Sequence, residues 1–315
     1  MKRALLVVIA AACSIVAACS KGPFKAPDAA PQHDAPVDVP TTDAPSAGSN
    51  AGFTPPAAAV TAWTGTSGNY TEVTPDLSCL GMARSDPATT SAVTLTVTVR
   101  DFQTNNVVPG AQVAAYSTFG APFATATSDS AGTAVLAIPS GKTRIGFDLT
   151  EASSNETLIV DQLLAPSTAD QTITLHVLSN STVATLPALV GVTATPNTGL
   201  DVGAIHDCQG ANLANAIATV SSTPSTVHHV VGADTYYFSD SVDLPENHNQ
   251  LAATSHDGLF MVLDLPATTM AYVQVWGYEN AADQAAGTLT LIAQLAVPLP
   301  ASAGVVTVQD PRATN

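Results

Sequence analysis

Between residues 93 and 100 apolar and polar side chains alternate without a break: Val93, Leu95, Val97 and Val99 against Thr94, Thr96, Thr98 and Arg100. A period of two puts successive side chains on opposite faces, so this stretch predicts a strand with one face buried and one wet. A polar connection from Asp101 ends in Pro109-Gly110, and the apolar pattern resumes over 111–117. Ser128-Asp129-Ser130-Ala131-Gly132 is a turn cluster, followed by Ala134, Leu136 and Ile138 and then by Pro139-Ser140-Gly141. Strand-like runs follow at 143–149, 157–164 and 171–178. Short strands divided by turn signals at this spacing predict a β-sandwich.

The same order returns near Gly199. Residues 202–206 lead into Asp207-Cys208-Gln209-Gly210, then an apolar run at 214–221, then the turn Thr254-Ser255-His256-Asp257-Gly258, then the apolar 259–265 ending at Pro266. A short helix is expected over 181–191, with Pro187 arguing against it because proline lacks the N–H that a helix interior uses. Asp101 to Gly132 spans 31 residues and Asp207 to Gly258 spans 51, so the second unit carries about 20 more. This insertion holds His228, His229, Tyr236, Tyr237 and His248, which are the candidate binding-loop residues, since loops on a rigid sandwich are where binding tends to reside.

The doubled grammar resembles the carboxypeptidase regulatory-like domain. It is carried by Asp101, Gly110, Asp129, Gly132 and Pro139 in one unit and by Asp207, Gly210, Asp257, Gly258 and Pro266 in the other. The resemblance implies prealbumin-like seven-stranded sandwiches that serve as accessory, structural or binding modules, the namesake's peptidase chemistry lying in a separate domain. The chain departs from it at Ala267-Thr268-Thr269, where the family usually has glycine. The expected fold is mainly β, with two tandem Ig-like or prealbumin-like β-sandwiches at 61–182 and 183–315. The segment from Trp63 to Gly81 is expected to pack on the first of them.

Ahead of the sandwiches, the chain opens with Lys2 and Arg3 and then 15 uncharged, largely apolar residues from Ala4 to Ala18. That is too short to span a bilayer comfortably, which takes about 20 residues, and it suits the apolar region of a signal peptide at 1–18. Val16-Ala17-Ala18-Cys19 resembles the bacterial lipobox, which implies cleavage before Cys19 and lipid on its thiol. Two or more acyl chains anchor a protein stably where one does not. Ser20 stands where an aspartate would resemble an inner-membrane retention signal, which favours the outer membrane. From 19 to 60 the chain is rich in Ala, Pro and Asp, with Asp34-Ala35-Pro36 and Asp43-Ala44-Pro45 among its recurring pieces. Such a tract cannot bury enough apolar surface to offset its ordering entropy, so it reads as a disordered tether.

Composition narrows the partners. Losing Lys2 and Arg3 with the signal leaves seven basic against 25 acidic residues, a net charge near −18. Phosphate binding needs a basic surface, so nucleic acid is disfavoured. Two cysteines remain beyond the lipobox, Cys79 and Cys208; on the oxidising side of the membrane they read as one disulfide, the alternative being two buried thiols. There is no Gly-x-Ser-x-Gly elbow, His-Glu-x-x-His pair or phosphate-binding glycine loop, so no enzyme and no cofactor are expected. No metal is expected either. Adjacent His228 and His229 on an extended chain would point to opposite faces and could not both join a site. These features describe a membrane-anchored exported lipoprotein acting as a non-catalytic structural, adhesive or binding module. It would meet the membrane through its lipid and meet a cell-envelope protein or glycan through its body. The alternative is a carbohydrate- or cell-wall-binding lipoprotein that stacks sugars on Trp276, Tyr278, Tyr236 and Tyr237.

Overall fold

The computed structural model describes residues 54–66, 68–82, 88–102, 104–117, 121–164, 169–225, 227, 233–240, 244–247, 250–299 and 304–309. The first sandwich is built from β3 (Val93–Asp101), β4 (Gln112–Tyr116), β5 (Ala124–Thr127), β6 (Thr133–Ile138), β7 (Arg144–Thr150), β8 (Thr157–Leu163) and β9 (Gln171–Val177). Its two layers run β6-β3-β9 and β5-β4-β7-β8. Val93, Leu95, Val97 and Val99 turn into a core shared with Val113, Leu136, Ile145 and Phe147, while Thr94, Thr96 and Thr98 stay half-buried on the outer face. The alternation along the chain is thus the alternation of faces.

After α1 (Asn180–Leu189) come β10 (Gly199–Ile205), β11 (Asn212–Ala214), β12 (Ile217–Ser221), β13 (Asp234–Phe238), β14 (Pro245–Glu246), β15 (Leu259–Leu265) and β16 (Thr268–Gly277). A short α2 (Ala281–Ala286), β17 (Thr290–Leu299) and β18 (Gly304–Gln309) follow. The second unit repeats the first in its pairings. β10 lies between antiparallel β15 and parallel β18, as β3 lies between antiparallel β6 and parallel β9. The sheet β12-β16-β17 likewise repeats β4-β7-β8.

The turns repeat a shared hydrogen-bonding core. Ser128 Oγ donates to Val108 O at 2.7 Å and accepts from the Ala111 N–H at 2.9 Å. Thr254 Oγ1 donates to Leu213 O at 2.9 Å and accepts from the Ala216 N–H at 3.0 Å. This alignment corrects the sequence expectation for Gly210. The partner of Gly110 (φ 78°) is Asn215 (φ 62°): each donates its N–H to the carbonyl of Ser128 or Thr254 at 2.9 Å. By the same alignment Asp129 corresponds to Ser255, not to Asp257. Gly210 belongs to the preceding turn, where its N–H bonds Asp207 O.

Gly132 and Gly258 are equivalent and irreplaceable for the same reason. A Cβ would stand 2.8 Å from Val99 O in one and 2.7 Å from Ile205 O in the other, both at positive φ. Gly258→Ala and Gly132→Ala will each cost about 2–3 kcal/mol in urea unfolding, combining left-handed strain with a backbone clash. Gly110→Ala has positive φ and nothing within 4 Å, so it will cost only about 1–2 kcal/mol. Equal losses at the three sites would refute the clash.

The two sandwiches share a sheet. β18 pairs with β10 on one side and with β8 on the other, in parallel on both, giving the nine-stranded order β14-β13-β15-β10-β18-β8-β7-β4-β5. Its two halves are covered on opposite faces: β6-β3-β9 lies over one and β12-β16-β17 under the other. Leu158 and Val160 of β8 therefore reach the second core, beside Ile205, Phe260 and Val262. The free face of β10 carries Leu200, Val202 and Ala204, and Leu186 of α1 and Val190, which caps its C-terminal end, cover it together with Leu178. Burial on both faces is why β10 shows no polar alternation. Helix α1 forms despite Pro187, which falls near its C-terminal end, and Ser179 caps it by accepting the Thr182 N–H.

Candidate binding surface

The segment ahead of the first sandwich does not pack on it. β1 (Thr61–Thr66) pairs with β11 of the second sandwich and with β2 (Asn69–Val73), and Val60 and Ala62 enter the second core. The Val60 N–H bonds Tyr278 O at 2.9 Å, and Asn215 Nδ2 donates to Ala59 O at 3.1 Å. The Cys79–Cys208 disulfide closes the attachment. Around it, Cys208 N–H donates to Asp76 O, Asp76 N–H to Asp207 Oδ2 and Gln209 Nε2 to Asp76 Oδ2. The expected packing of the Trp63–Gly81 segment on the first sandwich thus fails: the strand it opens with belongs to the second. The apolar positions of β1 match a free strand edge of the second sandwich, some 150 residues later in the chain.

With Ala62 turned inward, its neighbour Trp63 faces out, and here an aromatic cluster forms. The Trp63 ring stacks on His256 at 3.7 Å between centroids, Tyr70 of β2 meets the same imidazole edge-on at 6.0 Å, and His256 Nδ1 lies 2.6 Å from Asp240 Oδ2. The imidazole and carboxylate are about one-third exposed, at 38% and 34%. Each piece is held in place. Trp63 Nε1 donates to Thr61 Oγ1, Asn212 Nδ2 donates to His256 O and Ser255 Oγ donates to Phe238 O. The hairpin that presents Trp63 and Tyr70 needs Gly65 (φ 121°), where a Cβ would overlap Asn69 O. Chemically the cluster is a partly exposed aromatic stack with a carboxylate beside it, a combination suited to stacking and hydrogen bonding.

The sequence-selected tyrosines are elsewhere. Tyr236 and Tyr237 lie on β13, not in a loop, and are 3% and 2% exposed. Tyr237 OH accepts the Ala218 N–H at 3.1 Å, and Tyr236 OH donates to Asp234 Oδ2 at 2.9 Å. Burial pushes both phenols well above their ordinary range. Trp276 and Tyr278 are also buried. A ring locked in a core cannot stack on a sugar, so all four leave the candidate surface. Cys19, His228, His229 and His248 lie outside the described residues. Among the described residues no three His, Cys, Asp or Glu side chains converge as metal ligands. Trp63 and Tyr70 reach His256 and Asp240 only through the β1–β11 pairing, which no local signal in the sequence announces.

Two further ionisable groups among the described residues are displaced far from their usual values. Asp148 of β7 is pushed up to about 6, first by burial, then by Glu156, with the Tyr116 hydrogen bond opposing. His176 of β9 is pushed down to about 4, first by burial, then by Arg100, with Asp101 opposing. Their linkages oppose each other. A raised carboxyl binds its proton more tightly when folded, so Asp148 adds stability as pH falls from about 6 towards 4. By Coulomb and desolvation arithmetic this is about 3 kcal/mol, which solvent screening at a half-exposed group reduces to about 1. The depressed imidazole resists protonation when folded, so His176 removes about 2–3 kcal/mol as pH falls from 6.5 towards 4. In urea titrations across pH 7 to 4, Asp148→Asn will steepen the loss of stability on acidification and His176→Gln will flatten it. Unchanged slopes in both variants would contradict this assignment.

Fold and surface together define a mainly β chain of two sandwiches fused through one sheet, with an aromatic platform where an N-terminal hairpin docks on the second. No known protein family matches the sequence, and neither does any curated protein. Among solved structures, the TIE protein of Bacillus anthracis is 13% identical, with 70% of this chain covering 34% of that one at a TM-score of 0.24. The shaft pilin SpaA of Lactobacillus rhamnosus GG is 10% identical, with 71% of this chain covering 100% of it at 0.22. Fervidolysin of Fervidobacterium pennivorans is 12% identical, with 68% covering 30% at 0.22. At scores this low these resemblances carry nothing about this chain's fold or role.

Proposed function

We propose that the chain is an exported, lipid-anchored protein of the cell envelope whose β-rich body acts as a non-catalytic structural, adhesive or binding module. The disulfide is the observation that carries the exported part. Cys79 and Cys208 are joined across 129 residues, and such bonds persist in oxidising compartments. The positive start, the apolar run and Val16-Ala17-Ala18-Cys19 support anchoring through lipid on Cys19, and Ser20 supports the outer membrane. The repeated pairings of β3 and β10 support two units of the carboxypeptidase regulatory-like kind. The contact patch of this reading is Trp63, Tyr70, His256 and Asp240, facing an envelope protein or glycan, while the acidic body disfavours nucleic acid.

Mass spectrometry of the mature amino terminus tests the anchoring. A thioether-linked diacylglycerol on Cys19 is expected; an unmodified terminus in a protein that fractionates with soluble material overturns it. A glycan array tests the sugar arm. Binding abolished by Trp63→Ala in a protein that melts normally supports the platform, whereas binding indifferent to Trp63 removes it.

A further inference from the structure

Every described residue of the first sandwich lies between Cys79 and Cys208 in the chain, yet both cysteines belong spatially to the second sandwich. The chain enters through 54–79, which is bound to the second sandwich by the β1–β11 ladder, the Val60 and Asn215 hydrogen bonds and the burial of Val60 and Ala62. It then leaves to build β3 to β9, and returns to Cys208 just after β10. The covalent path from residue 54 to residue 309 therefore need not pass through the first sandwich at all.

We propose that the disulfide is a mechanical and proteolytic bypass, and that the first sandwich is a covalently closed insert carried by the second. Tension between the N-terminal segment and the C-terminal strands runs along β1, across the sulfur bridge and into β11 to β18, bypassing β10 along with the first sandwich. A cut or an unfolding event between 80 and 207 leaves the chain in one piece. The β8–β18 pairing and Leu158 and Val160 in the second core hold the insert in place without placing it on that path. The biological setting rests on the tethered reading above, but the mechanics do not.

The test uses the mature chain with handles ligated enzymatically to its two termini and pulled in an optical trap, with no lipid present. In the oxidised protein, rupture will release only the length of residues outside the bridge. Added reductant will lengthen the fully extended chain by about 430–460 Å, the 129-residue separation at about 3.3–3.6 Å per residue. This difference survives even if reduction unfolds the protein, because it reads contour length and not stability. Equal extended lengths with and without reductant overturn the proposal. In parallel, a protease nick between 80 and 207 will leave one band without reductant and two with it; two bands without reductant likewise overturn it. Lipid absent from Cys19 would defeat the anchoring but leave both results unchanged.

Discussion

Tyr237→Ala will destabilise the protein by about 3–5 kcal/mol, the usual cost of removing a large aromatic from a closed core. Tyr237 is among the largest fully buried side chains, and its ring sits with Phe260, Val262 and Ile217 between the two layers of the second sandwich. Its hydroxyl is also the acceptor for the Ala218 N–H of β12, so truncation strands a buried donor as well as opening a cavity. Tyr237→Phe separates the two effects, keeping the volume and losing only the hydrogen bond, for about 1–2 kcal/mol. Equilibrium urea unfolding checks both. A Tyr237→Ala protein as stable as the parent would mean that β13 is not a core strand. Trp63→Ala, at the partly exposed hairpin, will cost far less than Tyr237→Ala, so any loss of partner binding on that change reports contact.

Breaking the Cys79–Cys208 bond will be the other large loss, about 5 kcal/mol in the chain-entropy model for a loop of this length. Because the bond also pins the hairpin that completes the β11 edge, its absence will be felt first there. Hydrogen exchange of the β1 and β2 amides will accelerate before that of β3 and β7. Reduced and oxidised protein with the same urea midpoint would show that the unbonded chain holds the hairpin equally well by its strand ladder.

What could be read from the sequence tracks how local each cause is. β3 was legible because one of its faces is core and the other is Thr94, Thr96 and Thr98, and the pattern records that directly. β10 was harder, since α1 covers the face that is wet in β3, and a strand buried on both sides looks like any apolar run. The error over Tyr236 and Tyr237 came from counting residues between turns. Asp234-Thr235-Tyr236-Tyr237-Phe238 has the aromatic and β-branched character of a strand, a signal that was present in the sequence. Unlike β5 of the first unit, which pairs with β4, this strand joins β15, so the length arithmetic between units mistook an added strand for a loop. The platform of Trp63 and His256 was beyond reach, because 193 residues separate two rings that only the completed second sandwich brings together.

The position of β18 also sets an order of assembly. Every other described strand precedes it, yet it is the strand that joins β8 to β10. A chain delivered across a membrane amino end first would hold two halves with open, adhesive edges until residues 304–309 arrive. Delivery of residues 304–309 acts as the keystone of the arch, and a ribosome or translocon that stalled just short of them would leave a sticky pair of fragments in place of a single body.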